Sequence, residues 1–230
     1  ADRHHFLAYA ARVMRSVSML NANLANWAGS ANATSLAPNS AALTTYENAI
    51  SNSTTVRKDA YGHGTHVAAV AAGRAQFYST AGDTTGIAPN AKVYDVKVLN
   101  DMGFGSVSDA LEGIQWVIYH AKEYNIRVIN MSLAAASTES WRTDPLCIAV
   151  RSATAAGITV VVAAGNFGVS FTGKEVLGTI SSPANDPTVI AVGAANYKDT
   201  VARSDDVVTS FSSRGPTRGI SQPTMGRSQS

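Results

Sequence analysis

One stretch restricts the fold of this chain more than any other: Asp59-Ala60-Tyr61-Gly62-His63-Gly64-Thr65-His66-Val67-Ala68-Ala69-Val70-Ala71-Ala72-Gly73. A polar turn runs straight into a series of small apolar residues, where a helix is expected, and Gly73 stops it. Gly62 and Gly64 flank His63, which frees the turn's dihedrals and lets another group come close to the imidazole. Thr65 is expected to cap the helix and Gly73 to end it in the left-handed region. A helix of Val and Ala has little polar surface, so it is expected to pack in a core with His63 at its first turn. A histidine so placed is either a general base or a satisfied structural residue, and the stretch alone fits both.

Beyond this helix the pattern is regular. Residues 92–99 alternate and are β-branched, as a strand should be. A long amphipathic helix is expected over 109–124, with Leu111, Ile114, Val117, Ile118 and Ala121 on one face. A short strand over 126–131 and a helix over 144–156 follow. Residues 158–164 are continuously apolar, like a strand covered on both faces, and 188–193 repeat that character. Strands alternating with helices predict an α/β fold: a mostly parallel sheet, helices on both faces, and ligand sites at the carboxyl ends of the strands.

Residues 1–58 read differently. Phe6, Tyr9, Ala10, Val13, Val17 and Leu20 recur at helical spacing and predict an amphipathic helix over 3–20. A loop rich in Asn, Ala, Ser and Thr follows, with a short helix expected over 45–51. The chain is thus divided into a divergent segment 1–58, a main domain 59–217 and a flexible tail 218–230.

The 230 residues suffice for one domain with a substantial core. A net charge of +2 gives no reason to expect a nucleic-acid partner, and no apolar run is long enough to span a bilayer. The first twenty residues are too charged for a signal-peptide core, so the chain is expected to be processed or truncated. Cys147 is the only cysteine, which rules out an intrachain disulfide, and its apolar neighbours predict a packed thiol.

Several segments, in order, resemble the subtilisin-like serine proteases, or subtilases. Tyr61-Gly62-His63-Gly64-Thr65-His66 looks like that family's histidine motif. Gly86-Ile87-Ala88-Pro89 with Lys97-Val98-Leu99, then Gly103-Phe104-Gly105, are similar to its next block. Asn130-Met131-Ser132-Leu133-Ala134 resembles N-M-S-L-G, with Ala134 in place of the glycine. Val161-Val162-Ala163-Ala164-Gly165-Asn166 resembles V-A-A-A-G-N. Val189-Ile190-Ala191-Val192-Gly193-Ala194 and Ser210-Phe211-Ser212-Ser213-Arg214-Gly215-Pro216 resemble two later motifs. The resemblance covers about residues 59–217.

This resemblance implies a three-layer subtilisin-like fold, incomplete at both ends, and a serine endopeptidase acting on peptides or proteins. It makes His63 the general base and Asn166, beside Gly165, the donor to the oxyanion. Gly103, Phe104 and Gly105 on one side, and Ser132, Leu133 and Ala134 on the other, become the edges that pair with an extended substrate, and Gly165 is a further substrate-binding residue. It further implies an extracellular or periplasmic location and leaves structural calcium open, although residues 74–86 contain only Asp83 as a carboxylate. His63 and His66 lack the glutamate of H-E-x-x-H, so no metal site is expected there.

Two family motifs do not appear. Residues 1–58 hold only Asp2 and Glu47 as carboxylates, neither at the end of an apolar strand pattern, and Asp59 lies in the histidine's own turn. No G-T-S-M-A motif for the nucleophile occurs; Ser132, Ser170, Ser212 and Ser213 are the substitutes to weigh. The sequence therefore leaves open a truncated or divergent hydrolase, one using a non-family serine, and a peptide-binding remnant without turnover. Missing sheet elements would also invite self-association.

Overall fold

A computed structural model describes residues 12–20, 37–50, 58–74 and 85–217, in two compact units that meet in the chain between Gly113 and Ile114. In the first unit, β1 (Val13–Ser18) and β2 (Val93–Lys97) pair in parallel. The helix expected over 3–20 is therefore a strand where it is described, and residues 3–11 lie outside the described residues. Val13 and Val17 are buried, and Ser16 Oγ donates to Asp95 Oδ2 at 2.8 Å across the ladder, from a partner 79 positions away. Pairing at that distance overrides local periodicity, which sees only the near neighbours.

Helix α1 (Ala41–Ala49) starts earlier than the expected 45–51 because Ser40 Oγ caps it, accepting from Leu43 N at 3.1 Å. Its end is tied to the strand by Ser18 N donating to Ile50 O at 3.0 Å. Val17, Met19 and Ile50 are fully buried, and the Tyr46 hydroxyl meets Met19 Sδ. Burying side chains of this size stabilises by about 1.5–3 kcal/mol each.

Helix α2 (His63–Ala72) differs from expectation in three respects. Gly62 with φ 84° is its N-cap, and Thr65 lies inside the first turn. Gly73 is extended, at φ −56° and ψ 149°, and not left-handed. Only Ala72 is buried, while Val70 is 57% exposed. Apolar composition says what a helix can bury, but nothing among the described residues covers this face.

The tail of α2 is closed by main chain. Gly86, Ile87 and Ala88 donate their amides to the carbonyls of Gly73, Val70 and Ala71 at 2.8, 3.1 and 2.8 Å. Gly86 must be glycine, since a Cβ there would lie 2.5 Å from Gly73 N. The Arg12 guanidinium adds bonds to the carbonyls of Ala72, of Pro89 at 2.7 Å and of Ala91 at 3.3 Å.

Helix α3 (Val107–Tyr124) opens on a reciprocal cap in which Asp109 N donates to Ser106 Oγ and Ser106 N to Asp109 Oδ2, both at 3.1 Å. A Cβ on Gly113 would stand 2.9 Å from Val98 Cγ1, so the glycine lets α3 lie close to the β2 chain.

In the second unit, β3 (Val128–Met131), β4 (Thr159–Ala163) and β5 (Ile190–Val192) form a parallel sheet in that order. Helix α4 (Pro145–Ala155), capped by Asp144, buries Leu146, Cys147, Ala149, Val150 and Ala153. Val160 and Val162 of β4 are buried, whereas Val161 and Ala163 are only half-buried, so the strand is not sealed on both faces as expected. A small antiparallel pair, β6 (Ala195–Asn196) and β7 (Val207–Val208), completes the described elements. Parallel ladders linked by helices make the chain α/β, as its sequence pattern predicts.

Candidate active site

The Asp59 carboxylate builds the turn that presents His63. Its Oδ1 accepts from Gly62 N at 2.8 Å, and its Oδ2 from Thr65 N and Thr65 Oγ1, both at 2.8 Å. Burial alone would raise this carboxyl, but the bonds from Thr65 and Gly62 and the nearby Lys97 ammonium outweigh it and hold it below its ordinary value. A negative charge also suits the first turn of a helix. Asp59 thus spends its oxygens on the backbone of the turn. His63 is exposed, with the Tyr61 ring centroid 6.5 Å away, and among the described residues no hydrogen bond reaches its imidazole.

The loop with Gly103, Phe104 and Gly105 is folded around Asn100. Asn100 Oδ1 accepts from Met102 N at 2.9 Å and Phe104 N at 3.1 Å, while Asn100 N donates to Phe104 O at 2.7 Å. Phe104 therefore has its backbone engaged, yet the residue is 71% exposed; Gly105 keeps its amide and carbonyl free among the described residues. Gly103 has φ 81°, and a Cβ there would stand 3.0 Å from Tyr61 Cζ. A cavity of about 580 Å³ opens at the carboxyl ends of β1 and β2, lined by Ser18, Lys58, Lys97, Asp101 and Met102 among others. Lys97 and Asp101 pair across it at 2.6 Å.

In the second unit, Ser132, Leu133 and Ala134 extend beyond the end of β3, and no backbone hydrogen bond uses them among the described residues. Directly after them Ala135 forms a two-way antiparallel bridge with Ser182, at 2.9 and 3.2 Å. Gly165 follows β4 with φ 110°, and a Cβ there would lie 2.7 Å from both Ser181 Oγ and Ser213 Oγ. Only glycine fits, and it turns the chain so that Asn166 is exposed with its carboxamide unengaged among the described residues.

The four serines weighed as substitutes are all occupied locally. Ser132 Oγ accepts from Asn130 Nδ2 at 3.1 Å, and Ser170 Oγ accepts from Lys174 N at 3.2 Å. Ser212 Oγ accepts from Ala194 N and Ser213 Oγ from Phe167 N, each at 3.1 Å, and both residues are buried.

The family model described as the subtilase family matches residues 21–225. The chain belongs to the subtilase family.

Serine protease AprX of Bacillus subtilis (strain 168) is 41% identical over 171 residues, 72% of this chain and 37% of its own length. Subtilisin DY of Bacillus licheniformis is 44% identical over 138 residues, 60% of this chain and 44% of its own. Among solved structures, Sphericase superposes with a TM-score of 0.56 at 31% identity, over 71% of this chain and 48% of its own. The chain spans less than half the length of these relatives. The subtilase match begins at residue 21, well ahead of the 59 at which the resemblance was expected to start. The family is one of serine-type peptidases, and the fold is subtilisin-like.

Sequence reasoning missed Asp59 as the clamp of the turn and Arg12 as the anchor of the α2 tail. It also missed the Asp144–Ser182 pair behind Ala135. The Asp144-Pro145 signature of a helix start was readable, but the contact with Ser182 was not. Among the described residues, no group of three or more His, Cys, Asp or Glu side chains could hold a metal ion, and no helix is long and apolar enough to cross a membrane.

Proposed function

We propose that this subtilase chain serves a serine endopeptidase, acting outside the cytoplasm on extended peptide segments of proteins. In this reading His63 is the general base and Asn166 the donor to the developing oxyanion. Gly103, Phe104 and Gly105 form one peptide-pairing edge, and Ser132, Leu133 and Ala134 form the other. What carries it is the turn held by Asp59, which holds an accessible, unengaged imidazole at the start of a helix within a sequence match to serine peptidases. Asn166 adds support, because Gly165 leaves its carboxamide free to donate.

The test is hydrolysis of a peptide library, with His63→Ala and Asn166→Leu alongside the parent. Loss of the Asn166 donor should lower kcat by about 10²–10³, the magnitude found for subtilisin's own donor. Fluorophosphonate labelling followed by mass spectrometry then identifies the nucleophile. Unchanged hydrolysis in both variants would overturn the assignment.

A second reading, a peptide-binding module without turnover, is favoured by the engaged hydroxyls of Ser132, Ser170, Ser212 and Ser213. It predicts saturable peptide binding, weakened by Leu133→Ala, with no serine labelled.

A further inference from the structure

We propose that Asp144 and Ser182 are positioning residues that fix the peptide-pairing edge at Ser132, Leu133 and Ala134 relative to the strand end carrying Asn166. The proposal rests on the reading of those residues as a peptide-binding site and deepens it.

Asp144 is 3% exposed and has more partners than a helix cap requires. Its Oδ1 accepts from Cys147 N at 3.1 Å, the ordinary capping bond, and also from Ser182 Oγ at 2.8 Å. Asp144 starts α4 and Ser182 faces the edge, so one buried charge ties the start of α4 to the Ala135–Ser182 bridge.

The next residue back extends the tie. Ser181 N donates to Ala164 O at 3.1 Å, immediately before Gly165 and Asn166, and the Ser181 hydroxyl sits where a side chain on Gly165 would have to be. The pair Ser181-Ser182 therefore bonds on one side to the residue after the edge and on the other to the residue before the oxyanion segment. Asp144 holds that pair in register. A carboxylate kept out of water with two donors on one oxygen is a rigid reference point, because moving either donor away leaves a buried charge less satisfied.

The alternative is that Asp144 merely starts α4. Asp144→Ser separates the two, since serine caps a helix well but is too short to reach Ser182. Ser182→Ala leaves the cap untouched and removes only the link. Asp144→Asn keeps an oxygen for both the cap and Ser182.

The experiment is amide hydrogen exchange by NMR on the full chain, with titration of an extended unmodified peptide. In Asp144→Ser and Ser182→Ala, exchange of the Ala135 and Ser182 amides should speed up by about ten- to hundredfold, the worth of a hydrogen bond to a buried charge. Val160 and Val162 of β4 should stay protected, which separates local loosening from unfolding. Peptide affinity should fall about tenfold in both variants and recover largely in Asp144→Asn. Exchange at Ala135 and Ser182 that matches the parent in Ser182→Ala would overturn the proposal, as would loss of protection spread equally over β4. If the parent binds no peptide, the binding reading fails while the exchange result still decides the positioning.

Discussion

The phenol end of Tyr61 packs against Gly103, so close that a methyl group on Gly103 would stand 3.0 Å from Cζ and 3.1 Å from Cε1. This contact joins the turn that carries His63 to the loop that carries Phe104.

Gly103→Ala should therefore disturb both. It forces a side chain into a left-handed backbone, at a cost of roughly 1–2 kcal/mol, and pushes the Tyr61 ring aside. A thermal melt should show the loss, and the His63 ring protons should shift in the NMR spectrum. Unmoved His63 signals in a destabilised variant would show that the contact does not reach the imidazole.

Asp59→Ala removes the acceptor of three hydrogen bonds and should cost about 1 kcal/mol, as helix caps usually do. The folded carboxyl lies below its ordinary value, so its contribution is present above the unfolded value near pH 4 and is lost as the pH falls through the folded value. The gap in melting temperature between parent and variant should be constant from pH 5 to 7 and close below pH 4. A gap that persists at pH 2 would refute this electrostatic origin.

Glu112 behaves in the opposite sense. Burial raises its carboxyl and the Asp109 carboxylate raises it further, against a hydrogen bond from Tyr46 that lowers it. A raised group favours the fold while protonated, and that advantage is lost as the pH rises through the folded value. Glu112→Gln should therefore raise the melting temperature at pH 7 and leave it nearly unchanged at pH 4. A loss of stability at pH 7 would contradict the argument.

Cys147 should be inert in the folded protein. Burial, then the Asp144 carboxylate, pushes its thiol up to about 12. At pH 8 the thiolate fraction falls about a thousandfold below that of a free cysteine, so iodoacetamide should label the chain only once it unfolds. Rapid labelling of the native chain would show that α4 opens easily.

The sequence pattern foretold the strand and helix order from residue 92 to 193 because β2 to β5 and their helices carry their periodicities locally, but it did not mark the short pair β6 and β7. It failed at β1, whose identity depends on pairing with Val93 to Lys97 far along the chain. It placed His63 and Asn166 in named segments, but could not show that Asp59 serves backbone amides or that Asp144 reaches Ser182. Both depend on where a carboxylate points once the fold has brought its donors to it. Gly165 is an intermediate case. The motif marked it, and the two serine hydroxyls around it supply the steric reason.

Helix α2 is built like a cantilever. Its tail is clamped by the amides of Gly86, Ile87 and Ala88 and by the Arg12 guanidinium, so it resists fraying there. Its other end, where His63 sits, is held among the described residues only by the Asp59 carboxylate and the packing of Tyr61 on Gly103. The His63 end is therefore the more compliant of the two, and the imidazole can shift without disturbing the rest of the helix.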